Sequence, residues 1–226
     1  MHFIARLFLT TLGQPMPNDR FSHGSVHCLS AKHFYTIIPL LLFLASAAFA
    51  QHGAQTAPAA LDQLVESSAT ILRGHVVSAV AEPHPQFANL QTVLVTISVI
   101  KVMKGQAPSI YTFRQFVWDP RDEADSAGYR KAGELLLFLN PVSQYGLTSP
   151  VGLDQGRFRV IRDTKGRGFA VNGRGNFALF DQVSNKASTR GITLSRQAQT
   201  MMAKSGGPAS LDSLEETIAA LVGKNQ

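Results

Sequence analysis

The chain has 226 residues, of which 45% are hydrophobic and 16% charged. That balance belongs to a globular chain rather than a disordered one, and the length suits one domain plus an appendage. A net charge of +6 is too small to mark a polyanion-binding protein by itself. The single cysteine, Cys28, excludes an internal disulfide framework.

Residues 1–50 read as a leader. Lys32 and His33 form a basic flank, Phe34 to Leu44 an apolar run, and Ala48 and Ala50 the small residues a signal peptidase requires. The signal peptide is therefore expected at about 32–50, with cleavage after Ala50. The apolar stretch falls short of the ~20 residues of a spanning helix, so no stable membrane span is expected after cleavage. Cys28 precedes the apolar run and cannot be a lipobox cysteine. The polar, punctuated residues ahead of it place the expected start downstream, at Met16, Val26 or Leu29. The mature chain is expected to be exported, to the periplasm or the medium.

Ala59 to Ser67 predicts a short helix, with Leu61, Leu64 and Val65 on one face. Thr70 to Val80 predicts a strand, and Gly74 in its middle a bulge or bend. Glu82-Pro83-His84-Pro85 predicts a turn, because two prolines do not continue a central strand. Gln91 to Val102 predicts a half-buried strand with Val93, Val95, Ile97 and Val99 on its apolar face. Ser109 to Trp118 alternates again, and Asp119 to Gly128 is a charged loop. The run Glu134 to Leu139 predicts a strand buried on both faces. Gly156 to Ile161 and Gly168 to Val171 are expected to pair around Asp163 to Gly166, and Asn176 to Phe180 predicts a last strand.

Residues 196–209, with Gly206, Gly207 and Pro208, read as a linker. Residues 210–226 read as a helix in which Leu211, Leu214, Ile218, Leu221 and Val222 recur at helical spacing. The expected organisation is a leader over 1–50, a β-barrel-like domain over 59–195, a linker over 196–209 and a C-terminal helix over 210–226. Short strands with helices at the ends predict a mainly β fold, a small antiparallel OB-like Greek-key barrel or sandwich.

Four segments in order carry a resemblance: Ala69 to Val76, Val95 to Gly105, Gly133 to Leu139 and Gly152 to Phe158. This succession of strand, glycine bend, strand, turn and buried strand resembles secreted bacterial proteins whose core is similar to netrin and tissue-inhibitor-of-metalloproteinase modules. It spans about residues 65–162 and implies an OB-fold and a binding role. Tissue inhibitors of metalloproteinases hold their target's zinc through an N-terminal cysteine. The expected mature N-terminus here is Gln51, so that mechanism does not transfer.

His52, His75 and His84 show no metal-ligand spacing and read as structural or surface residues. Asp119, Asp122, Glu123 and Asp125 lack the spacing of a calcium loop and read as a solvated loop. No nucleophile elbow, catalytic thiol or phosphate loop is present, and no motif implies a cofactor. Tyr111, Phe113, Phe116 and Trp118 are alternating aromatics, either core or a stacking platform, with Arg114 on the face opposite Phe113. Arg157 and Arg159 open a basic stretch with Arg162, Lys165, Arg167 and Arg174, read either as an anionic-polymer surface or as a solvated hairpin face. Export argues against nucleic acid.

The candidate binding residues are thus Arg114, Trp118, Arg157 and Arg159, with no catalytic or metal set. The expected function is an exported, non-enzymatic binding module of the cell envelope or medium for another protein or a polymer, a secreted or envelope protein being one such partner. The alternative is a secreted hydrolase with dispersed residues, for which His75, Asp119 and Glu134 are the positions to test. A third reading is a structural stabiliser whose C-terminal helix docks its apolar stripe on a partner.

Overall fold

The β-branched and alternating stretches pair into a seven-stranded antiparallel sheet; of four short helices, one precedes it in sequence, two lie between its last two strands and one follows it. The structure, a computed structural model, describes residues 56–117 and 126–223. The leader with Ala48 and Ala50, His52, and the loop positions Trp118, Asp119, Asp122, Glu123 and Asp125 lie outside the described residues.

Helix α1 (Leu61–Ser67) comes first. Strands β1 (Thr70–His84), β2 (Phe87–Lys104), β3 (Ile110–Phe116) and β4 (Glu134–Leu139) follow. Then come β5 (Arg157–Arg162), β6 (Gly168–Asn172), α2 (Val183–Thr189), α3 (Arg196–Met202), β7 (Ala209–Ser210) and α4 (Leu211–Gly223). The sheet order is β3-β2-β1-β4-β5-β6-β7. Two isolated bridges add to it: Arg114 pairs in parallel with Leu147, and Leu139 antiparallel with Pro150.

Strand β4 is buried on both faces, as its apolar run predicts. Leu135, Leu137 and Leu139 enter one core with Leu72, Val76, Val93, Val95, Ile97 and Phe113. Leu136 and Phe138 enter the other, with Phe158, Leu61, Leu64 and the apolar sides of α2, α3 and α4. One core is lined by strands and the other is covered by helices. Each fully buried Leu or Phe stabilises by roughly 1.5–3 kcal/mol relative to exposure.

Gly74 marks the expected bulge: the β1–β2 register shifts between Arg73 and Gly74. A Cβ there would lie 2.4 Å from the Ser98 carbonyl oxygen, so only glycine lets the two backbones approach.

Four expectations are corrected. The predicted turn at Glu82 to Pro85 starts too early, since β1 runs through Pro83 to His84 and the turn falls at Pro85 and Gln86. Pairing with β4 ends at His75, so the far half of β1 has β2 alone as a strand partner and tolerates a proline. Asn176 to Phe180 is a run of turns, not a strand. Asn176 takes a left-handed conformation (φ 60°), and its buried amide donates to the Ala170 and Gly207 carbonyls and accepts from the Asn172 N–H.

The expected linker at 196–209 is largely structured. Ser195 caps α3 by accepting from the Ala198 N–H, Ala198, Met201 and Met202 are buried, and Ala209 and Ser210 join the sheet beside β6. Lastly, the apolar stripe of α4 is packed inside the chain's own core, which removes it as a surface for a partner. Among the described residues, no helix is long and apolar enough to cross a membrane.

Candidate functional site

Of the sequence candidates, Arg114 and Arg157 are held by internal partners. Arg114, on β3, donates to Thr92 Oγ1 at 2.8 Å and to Glu82 Oε1 at 2.6 Å. Arg157 donates to Asp154 at 2.6 Å and to the Ala127 carbonyl, and its guanidinium stacks 5.0 Å from the centre of the Tyr129 ring. Burial raises the Tyr129 phenol well above its usual range despite Arg157, and its hydroxyl donates to Gln115 Oε1 at 2.7 Å. Arg159 is exposed on β5, paired through its backbone with Leu135 and Val171. The structure therefore does not bring these arginines into one site.

Glu134 is drawn into an ion network rather than a cleft. It accepts from Arg73 at 2.5 Å and from Arg162 at 2.9 Å, while Arg73 also reaches Glu215 on α4 at 2.6 Å. Lys101 completes the network at 2.7 Å from Glu215. The Glu134 and Glu215 side chains are each 8% exposed. Burial alone would raise the Glu134 carboxyl, but the hydrogen bonds and charges of Arg73 and Arg162 outweigh it and hold it below its usual range. This arrangement ties the helical layer to the sheet. His75 is exposed, and no cluster of metal-ligating side chains occurs among the described residues.

The feature that does resemble a contact site sits at the far end of the β1–β2 hairpin. His84 is buried there, between the turn and the loop that follows β4. The Gln86 N–H donates to His84 Nδ1 at 3.1 Å, so the neutral ring carries its proton on Nε2. That Nε2 lies 2.9 Å from the Tyr145 carbonyl and donates to it. His84 thus pins the turn to the loop.

Two aromatic rings stand out from this brace. Phe87 lies 5.1 Å from the His84 ring and meets Tyr145 edge-on at 5.5 Å and 84°. Phe87 is 43% and Tyr145 50% exposed, and Val142, three residues before Tyr145, is also exposed. The Arg114 carbonyl also holds this loop, accepting from the Thr148 N–H at 2.9 Å. The tip thus presents two exposed aromatic rings beside a turn that the His84 hydrogen bonds hold to the neighbouring loop.

Sequence reasoning missed the pair because Phe87 and Tyr145 are 58 residues apart and neither belongs to a recognisable motif. The available signal was His84 between two prolines, which marks a constrained turn. Comparison with protein-family models, with curated proteins and with solved structures gives no match.

Proposed function

We propose that the chain is an exported, non-enzymatic binding module of the cell envelope or medium. Its contact surface is centred on Phe87 and Tyr145, and its partner is a secreted or envelope protein. The observation that carries this reading is the exposed aromatic pair held rigid by the His84 brace. Exposed aromatics that are fixed before binding lose little entropy on contact and are the usual anchors of protein interfaces. The leader supports export, since a basic flank, an apolar run and Ala48 and Ala50 are what secretion requires.

The backbone pairing supports an OB-like reading of the strand-lined half. From β1 the hydrogen-bonded neighbours run through β2 and β3, across the bridge at Leu147, back by the bridge at Pro150 to β4, and so to β1. The buried side chains inside that circuit form one of the two cores. In OB-folds the loops after the first and fourth strands frame the ligand face. Here the corresponding loops are the ones His84 joins.

The test is affinity capture with the tagged chain as bait against a cross-linked envelope extract, read by mass spectrometry. The same capture is run with Phe87→Ala/Tyr145→Ala. A protein recovered reproducibly by the wild type and lost with the double variant is the expected result. Recovery undiminished in the variant removes the tip as the surface, and no capture by a folded bait overturns the binding-module reading.

A further inference from the structure

The brace at the hairpin tip works with one protonation state of His84. The ring is 5% exposed, and both of its nitrogens are in use. Nδ1 accepts from the Gln86 N–H at 3.1 Å, and Nε2 donates to the Tyr145 carbonyl at 2.9 Å. A neutral imidazole accepts at one nitrogen and donates at the other, whereas an imidazolium donates at both. A proton on Nδ1 would face the Gln86 N–H, donor against donor. The bond to Tyr145 survives that change and the bond to the turn does not.

The sequence around His84 gives the turn no substitute. Pro85 has no N–H, so Gln86 carries the first backbone donor after the ring. Among the described residues, three titratable or charged groups belong to the elements that meet at this end. Strand β1 brings Glu82, β3 brings Arg114, and the loop after β4 brings the Tyr145 phenol, while β2 has no charged residue before Lys101. Glu82 is already bonded to Arg114 at 2.6 Å. A charged ring in so buried a place is also costly in itself. Phe87 lies 5.1 Å from the His84 ring, so a movement of that ring passes directly to the aromatic pair.

We propose that the tip is a pH-responsive contact surface. With His84 neutral, the turn is pinned to the loop and Phe87 stands against Tyr145. Protonation of His84 at Nδ1 releases Gln86 and uncouples the two rings. Histidine is the side chain whose charge ordinarily changes between about pH 5 and 8, so mild acid is enough to operate such a device. The consequence for binding rests on the contact surface proposed above; the release itself is a property of the hairpin and needs no partner.

Nuclear magnetic resonance on the full chain tests it, following the Gln86 amide, the His84 ring nitrogens and the contacts between Phe87 and Tyr145 ring protons from about pH 7.5 to about pH 5. The Gln86 amide is expected to move in step with the His84 ring, and the ring–ring contacts to be lost over the same range. His84→Asn keeps an acceptor oxygen for Gln86 but takes up no proton, so its Gln86 amide should stay still. Glu82→Gln and His75→Ala, the latter at an exposed position on β1, should leave the movement in place. The dispersion of each spectrum confirms that the variant is folded.

Three results each overturn the proposal: a Gln86 amide that stays still while the His84 ring charges, a ring that remains neutral until the whole chain unfolds, or the same movement in His84→Asn. Affinity capture at both ends of the pH range separates the two readings. Capture that persists in acid while the rings are uncoupled leaves the switch standing and removes the aromatic pair as the contact surface.

Discussion

The two cores that share β4 are built by different means. The strand-lined core closes with side chains from neighbouring β1, β2, β3 and β4, with Tyr129 and Gln115 as its polar pair. The helix-covered core gathers α1, α2, α3 and α4 onto the opposite face, and an ion network from Arg73 through Glu134 and Glu215 fastens part of that layer down. One half is held by backbone pairing and alternation. The other depends on side-chain packing and on a few charges placed at a helix–sheet seam. The exposed aromatic pair Phe87 and Tyr145 belongs to the strand half.

The sharpest way to break the comparison is to cut into β4 from each side. Phe138→Ala should cost about 3–5 kcal/mol and Leu137→Ala about 2–5 kcal/mol, both read by denaturant unfolding. A single transition in both variants shows that β4 fuses the cores into one cooperative unit. A second transition in Phe138→Ala alone shows that the helical layer separates while the strands hold.

Glu215→Ala comes next. It leaves Arg73 with Glu134 as its remaining acidic partner, in a seam where Glu215 is nearly buried, and should cost about 2–3 kcal/mol. Lys101 contributes little of this because half of its side chain is in water. Limited proteolysis should then release α4 before any strand; cleavage in the β1–β2 hairpin first would reverse the expected order of weakness.

Acid sharpens the same contrast. The Glu134 carboxyl is held below its ordinary value of 4.5 when folded. Its stabilising contribution is therefore complete above that value and is lost as the pH falls through the lower, folded one. Stability measured against pH should decline over that window, and Glu134→Gln should remove that part of the slope. An unchanged slope would place the acid sensitivity elsewhere.

The smallest expected effect on stability is at the tip. Phe87→Ala, at an exposed position, should change unfolding by no more than about 0.5 kcal/mol while reducing capture of the partner. A larger loss of stability would make the ring a structural element of the hairpin instead.

The strand half was legible because alternation records burial directly. Val93, Val95 and Ile97 are buried as their spacing predicts, and the Glu134–Leu139 strand has the bounds of its apolar run. Gly74 announced its bulge for the same local reason. The helical half was less legible. Helices α2 and α3 have seven residues each, about two turns, so their apolar positions repeat too few times to show a period. The glycines and Pro208 beyond α3 read as a linker because punctuation is local, whereas the docking of Met201 and Met202 is not. The candidate site was hidden for a related reason: Phe87 and Tyr145 are neighbours made by tertiary structure.

The seam between sheet and helix also orders the chain's own history. Arg73, in the first strand, waits for Glu215, 142 residues later, and α1 packs against α4. Contacts of such long sequence separation form late and slowly. A polypeptide lacking its last turns can pair its early strands, but Leu214, Ile218, Leu221 and Val222 of α4 are missing from the cover over the far face of β4. The helix-covered core is thus the part of the fold that closes last, once both sides of its seam are in place.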